Sequence, residues 1–145
     1  PLSGPYGTSP LMPDTPAGAI TVPISVGELI DKITILDIKA ARITDTAKLA
    51  NVARERAALR AVRAGLADRP AFADAEDALR DINRQLWDVD DALRAREAAG
   101  DFGPDFVAEA RAVYRLNDQR AALKYEINQI TGSNLVEEKL YETKG

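Results

Sequence analysis

The sequence contains neither cysteine nor histidine among its 145 residues. Without cysteine it can form no disulfide, no thiolate nucleophile and no thiolate-bound metal site. Without histidine it lacks the usual general base and the commonest metal ligand. We therefore assign no catalytic residue, no metal ligand and no cofactor, and we lean against an enzyme. The same two absences fit a reducing cytoplasm, which is the expected location.

A basic surface and a long apolar run are also missing. Lys and Arg total 19 against 23 Asp and Glu, so the net charge is −4. This balance argues against a nucleic-acid partner, because neutralising phosphates needs clustered positive charge. No apolar run approaches the roughly 18 residues that span a bilayer, so no membrane partner is predicted.

The chain has the composition of one helical domain preceded by an arm. Residues 1–22 hold five prolines and three glycines without periodicity, which predicts a disordered Pro/Gly-rich arm. Met12 in this arm is a candidate for the native first residue. After position 46, Arg and Ala outnumber β-branched residues, which favours helix over sheet. We predict a single helical domain over residues 23–141 and a frayed C-terminus over residues 142–145.

Terminal signals and apolar spacing predict two short helices at the start of the domain. The first follows a capping box formed by Ser25 and Glu28 and runs to about Ile43. Its apolar residues extend most of the way round, which is typical of a centrally buried helix. The second covers about 46–64. Its arginine run is interpreted as a solvated face: Arg54, Arg56, Arg60 and Arg63.

Two longer helices follow. An almost strict apolar heptad predicts the third over about 71–99, ended by Gly100. The fourth is predicted within 102–131, with Pro104 at its first turn and Gly132 as its stop signal.

The connection between the two long helices is only four residues, 100–103. A loop this short predicts an antiparallel hairpin. The fold class is therefore all-α and four-helix bundle-like, with two shorter N-terminal helices packed on a long antiparallel helical hairpin. Because the shorter helices cannot cover the hairpin end to end, part of its apolar stripe should remain uncovered. A second copy is the simplest cover, so we expect a homodimer.

Polar side chains recur at core spacing on the fourth helix. Asn117, Arg120, Lys124 and Asn128 fall three or four residues apart and share one face. A buried amide or charge without a partner costs about 1–3 kcal/mol, so other groups must satisfy them. The favoured interpretation is structural, with carboxylates of the first or third helix as partners: Asp31, Asp37, Asp88 or Asp90.

The functional interpretation of the same face is an anion site, in which Arg120 and Lys124 act with Lys32 or Lys39. The candidate set is Lys32, Lys39, Tyr114, Asn117, Asp118, Arg120, Lys124 and Asn128. A second set is a candidate interaction surface, in which the tryptophan fills a core or an interface. This set is Trp87, Leu135, Val136, Glu137, Glu138, Lys139 and Tyr141.

Four segments carry a family resemblance. They are ISVGELIDKITILDIKAARI (24–43), LWDVDDALRAREAAGDFGPDF (86–106), VYRLNDQRAALKYEIN (113–128) and LVEEKLY (135–141). Together they resemble a family of small uncharacterised bacterial proteins with a domain of unknown function, over essentially the whole chain after residue 23. The resemblance implies an α-helical fold, supports the domain limits and singles out the LVEEK segment. It implies no established activity.

The stretch ELIDKITILDIKAAR (28–42) resembles the first helix of the all-helical chorismate mutases, which hold a dianion with basic residues and need no metal. Arg42 lies near that family's helix-end arginine. Asp31 and Lys32, however, stand where that family has an early arginine, and the second helix lacks its lysine and Arg-Glu pattern. This resemblance implies the alternative function, a metal-free enzyme or binding protein for a small anionic metabolite. We rank it below a non-catalytic interaction or accessory module whose partner is a protein, either a second copy or another chain.

Overall fold

The computed structural model describes residues 17–140. Met12, Tyr141 and most of the predicted arm lie outside the described residues. The described part forms four helices and no strand: α1 (Val26–Arg42), α2 (Thr46–Ala64), α3 (Pro70–Ala99) and α4 (Pro104–Thr131). The predicted all-α fold is confirmed, and each helix begins and ends within about two residues of its predicted limits.

The helix ends follow from side chains that satisfy the free backbone groups. The Ser25 hydroxyl accepts a hydrogen bond from the Glu28 amide at 3.1 Å and caps α1. The Asp45 carboxylate does the same for α2 through the Lys48 amide at 2.8 Å. Both long helices begin with proline at the first turn and end in left-handed glycine. These local signals explain why sequence reasoning located the limits.

α1 is the central helix. It packs against α2, α3 and α4, whereas α3 and α4 pack along each other as an antiparallel hairpin. Ile30 and Ile33 of α1 are fully buried between the other helices, together with Phe72 and Leu79 of α3. The main core cluster is Leu29, Ile30, Ile33, Phe72, Ala75, Leu79 and Ile127. It lies at the end of the hairpin that α1 and α2 cover.

In the described part of the chain, neither α1 nor α2 covers the other end of the hairpin in this way. The last residue of α1, Arg42, bonds Asp88 of α3, and none of residues 89–115 is buried. We call residues 89–115 the hairpin tip. Its exposed apolar side chains include Phe102, at 57%, which contacts the Phe106 ring edge-on. No helix in residues 17–140 combines the length and the apolar character that crossing a bilayer requires.

The arginine run of α2, predicted as a solvated face, also forms ion pairs with the neighbouring helices. Arg56 and Arg60 each donate to Asp37 of α1 at 2.7 Å, and Arg80 of α3 donates to the other carboxylate oxygen at 3.2 Å. Burial acts to raise the pKa of Asp37, but the hydrogen bonds from Arg60 and Arg56 outweigh it and lower the pKa. Arg63 lies 4.1 Å from the Phe72 ring. These α2 arginines therefore join three helices through ion pairs, while the side chains of Arg56 and Arg60 stay 38% and 46% exposed to solvent.

Candidate functional site

The polar face of α4 contacts α1, where its arginine forms a buried ion pair. Arg120 bonds both oxygens of Asp31, with its Nε 2.8 Å from Oδ1. Asn83 of α3 donates to Asp31 Oδ1 at 3.0 Å and to the Thr34 hydroxyl at 2.9 Å. The Thr34 hydroxyl in turn donates to the Asp31 carbonyl at 2.8 Å. Three helices are thus joined by one polar cluster, and no buried side-chain polar atom in the described part of the chain lacks a partner.

The Asp31 carboxylate carries its charge although only 1% of the residue is exposed. Burial acts to raise the pKa of Asp31, because desolvation disfavours the charged form. The hydrogen bonds from Arg120 and Asn83, with the positive charges of Arg120 and Lys124, outweigh burial and hold this pKa below its usual value. The pKa of Arg120 is raised, chiefly by its hydrogen bonds to Asp31. Both groups are therefore ionised throughout the physiological pH range.

One turn further along α4, Lys124 joins α1 to the C-terminal segment. Its ammonium donates to Glu28 at 2.7 Å and to Glu137 at 2.9 Å. Burial acts to lower the pKa of Lys124, but the bonds to Glu28 and Glu137 outweigh it, and the pKa is raised. Hydrogen bonds from Lys124 and Lys139 lower the pKa of Glu137 to about 2. The LVEEK segment is therefore held against the bundle through its first glutamate.

The end of α4 and Ser133 beyond it supply hydrogen-bond acceptors for the first free amides of α1. The side-chain oxygen of Asn128 accepts a hydrogen bond from the Gly27 amide at 2.7 Å, and the Ser133 hydroxyl accepts one from the Val26 amide at 3.1 Å. The helices approach so closely that a Cβ atom on Gly27 would lie 2.4 Å from the Lys124 carbonyl oxygen. A glycine is therefore required at this position of α1 by the contact with α4.

Three further residues of the predicted anion set, Asn117, Lys32 and Lys39, differ in how close they lie to the Asp31–Arg120 cluster. Asn117 accepts a long 3.5 Å hydrogen bond from Arg120. Lys32 pairs with Glu28 at 3.6 Å on the surface of α1. Lys39 lies eight residues beyond Asp31, which is about 12 Å along the helix. The structure thus brings Asn117, Arg120 and Lys124 to one face of the bundle. Lys32 lies beside them through Glu28, which it shares with Lys124, whereas Lys39 lies apart.

Tyr114 and Asp118 lie on the outer side of α4. Tyr114 is 54% exposed, and the Arg115 guanidinium lies 5.7 Å from the centre of its ring. The hydrogen bond and positive charge of Arg115 lower the pKa of Tyr114. Asp118 lines a cleft beside the C-terminal segment. Neither residue belongs to the buried polar cluster.

The predicted interaction set falls into two places. Trp87 is half-buried on α3, with the Arg42 guanidinium 6.0 Å from its ring centre. Leu135 and Val136 are exposed at 44% and 36% at the opposite end of the bundle. The segment containing them borders a cleft of about 240 Å³ on α4. Its lining residues are Asp118, Ala121, Ala122, Lys124, Tyr125, Asn128, Glu137, Glu138 and Lys139.

The charges around this cleft are only partly matched: the two lysines form ion pairs, whereas Asp118 and Glu138 form none within residues 17–140. Its two lysines, Lys124 and Lys139, both bond Glu137. With three acidic side chains against two lysines, the lining of the cleft carries a net negative charge, which disfavours an anion. In residues 17–140 no group of three or more acidic side chains converges in a way that could hold a metal ion. The arrangement can fix helix positions and hold the C-terminal segment in place.

Sequence reasoning missed several members of the cluster. Thr34 and Asn83 are buried polar residues, at 0% and 5% exposure, within otherwise apolar helix faces. A polar residue directly beside an apolar heptad position was the available signal for Asn83. Nothing local distinguishes Gly27 or Ser133, because their roles depend on contacts about 100 residues away in the chain.

A comparison with known proteins identifies a family for this chain. The model of a family of unknown function, DUF6165, matches residues 20–144. No curated protein and no solved structure matches. The resemblance to a family with a domain of unknown function is thereby confirmed, and the match includes the whole predicted helical domain.

Proposed function

Since the chain belongs to the DUF6165 family of unknown function, we propose from its contacts that it is a non-catalytic protein-interaction module. Its contact surface is the hairpin tip. The observation that carries this proposal is the absence of any buried residue over 89–115, although the tip contains apolar side chains at helical spacing. A helix with an apolar stripe is stable when that stripe packs against another element, and of the elements within residues 17–140 only α3 and α4 lie at this end of the hairpin.

The polar face of α4 supports the same proposal, because its charged side chains hold the helices together. Arg120 is bound on both sides by Asp31 and Asn117, and Lys124 is bound by two glutamates. A pocket for a small anionic metabolite needs cations whose hydrogen bonds point into open space. These cations instead point at carboxylates, so the contacts favour a scaffold over the chorismate-mutase-like alternative.

The partner that we propose is a second copy of the chain. Two copies related by a two-fold axis would pack one hairpin tip against the other, so that four helices instead of two pack together at the contact. Two-fold dimers are the commonest soluble assemblies. The net charge of −4 is small enough that repulsion between copies does not oppose this association strongly.

The experiment is a concentration series. Sedimentation equilibrium on the full chain, from about 1 to about 100 µM, covers the range in which weak dimers dissociate. We expect the mass to rise from 15.7 kDa towards twice that value. Amide hydrogen exchange at the two extremes should show protection gained over residues 89–115 and unchanged exchange in α2, which is the internal control. A constant mass of 15.7 kDa with concentration-independent exchange would contradict the proposal.

A further inference from the structure

Three of the large exposed hydrophobic residues lie on one line along α4. Val107, Tyr114 and Tyr125 are 51%, 54% and 49% exposed. The first and last are eighteen positions apart, which is five full turns at about 3.6 residues per turn, so they point in the same direction over about 27 Å. The buried residues Leu116 and Ile127 are about half a turn away from this line. The line therefore faces away from the other helices, and its C-terminal half lines the cleft beside the C-terminal segment.

Two opposite charges lie on the same line. Arg111 precedes Tyr114 by three residues and Asp118 follows it by four, so both share its face. Neither takes part in an ion pair within residues 17–140, where Arg111 approaches only the Tyr114 hydroxyl. The other aspartate of this half of α4, Asp105, already approaches Arg96 at 3.7 Å. Within residues 17–140 this line thus carries one positive and one negative charge without an ion pair, separated by two turns, and a second such arginine, Arg115, lies on its flank against the Tyr114 ring.

Such a face is complementary to itself. When two identical helices pack antiparallel about a two-fold axis, residues whose numbers have a constant sum face each other. Placing Arg111 opposite Asp118 sets the axis between Tyr114 and Arg115 and forms the ion pair twice. The same register places Val107 opposite Ala122, where a small side chain allows close approach. A parallel pair would instead place like charges together.

We propose that this outer ridge of α4 joins two copies of the chain antiparallel, with Arg111 of each copy bonded to Asp118 of the other. The ridge consists of Val107, Arg111, Tyr114, Asp118, Ala122 and Tyr125. This inference rests on the proposed function, because it requires the copies to associate, and it narrows the contact to the outer face of α4, where residues 107–115 of each tip lie opposite residues 114–122 of the partner. The register also brings the partner's 100–103 loop, with its exposed Phe102, to the cleft beside Tyr125 and the LVEEK segment.

The size of the contact sets the expected affinity. One helix pair of this length falls among the smaller specific interfaces, below about 1,200 Å² in total. We therefore expect a dissociation constant in the micromolar range. Because the two ion pairs are partly exposed, salt should weaken the dimer.

Charge reversal tests the register. Arg111→Asp and Asp118→Arg each place like charges opposite one another twice, so either variant alone should dimerise at least tenfold more weakly than the unchanged protein. An equimolar mixture of the two variants restores an opposite charge at all four positions, and it should form a heterodimer with near-original affinity. The combined variant Arg111→Asp/Asp118→Arg should also recover. Sedimentation at matched concentration measures all four samples.

The matched control is Arg84→Asp, which reverses an exposed arginine on α3 that has no ion pair within the described residues. It should leave dimerisation unchanged. Far-ultraviolet circular dichroism should show that every variant keeps its helices. If the unchanged protein dimerises but the reversals have no effect, or the mixture fails to associate, this register is wrong and the interaction module stands. A protein that stays monomeric at about 100 µM would overturn both proposals.

Discussion

The Asp31–Arg120 ion pair should respond unequally to the loss of its two members. Arg120→Met keeps the length of the side chain but leaves a carboxylate in a site where Asp31 is 1% exposed. Breaking a buried pair in this way costs about 3–5 kcal/mol, and the remaining bond from Asn83 puts our expectation near 3 kcal/mol. Asp31→Asn leaves instead the Arg120 side chain, which is 30% exposed and can reach water. That change should cost only about 1–2 kcal/mol.

The pH dependence provides a sharper test of the same reasoning. In the unchanged protein the folded pKa of Asp31 is lowered, so its stabilising contribution is present above the unfolded pKa near 3.9 and is lost as pH falls below it. In Arg120→Met, Asp31 remains buried but loses the guanidinium that lowers its pKa, so the folded pKa of Asp31 should rise above its unfolded pKa. Protonation of Asp31 then removes the cost of burying its charge. The difference in unfolding free energy between the unchanged protein and Arg120→Met should therefore shrink as pH falls from about 7 towards about 4.

Urea denaturation followed by circular dichroism measures these free energies. The control is Asp31→Asn/Arg120→Met, which lacks the titrating group and should keep a constant difference from Asp31→Asn over the same pH range. Equal losses for the two single variants would refute the argument, because they would show that the buried carboxylate finds other partners. A penalty for Arg120→Met that does not change with pH would refute it as well.

Three other predictions follow from single contacts. Gly27→Ala should destabilise the protein by about 2 kcal/mol or more, measured by urea denaturation, whereas an unhindered Gly→Ala in a helix stabilises by about 0.5–1 kcal/mol. The pKa of Glu137, followed by NMR, should be about 2, and in Lys124→Met it should move towards the ordinary value of about 4.3. The bond that holds the C-terminal segment therefore stabilises the fold fully above the unfolded pKa, and this stabilisation is lost as pH falls through the folded pKa. Asp37→Ala, which leaves three arginines facing one another, should lower the melting temperature by several degrees more than Asp88→Ala, which removes a single exposed pair; equal shifts would show that the cluster adds nothing.

Local chemistry determined the helices of this protein. The capping serine at position 25, the prolines at positions 70 and 104 and the left-handed glycines at positions 100 and 132 act through neighbouring backbone groups. Apolar spacing within each helix fixes which face turns inward. The four-residue loop forces the hairpin. Each of these signals lies within a few residues of the feature that it controls, so the sequence alone was sufficient to locate all four helices.

The candidate site depended on contacts that no local pattern contains. The polar spacing on α4 showed that Arg120 needs a partner, and four aspartates were open as candidates, but only the packing of α1 selects Asp31, 89 residues away. The same holds for Asp37, whose three arginines come from two other helices. These choices follow from the angle and depth at which the helices pack, because a hydrogen bond requires atoms within about 3 Å and that distance is set by the whole core. The sequence by itself determined which segments form helices and which helix faces are apolar, and the tertiary structure decided which charged side chains form ion pairs.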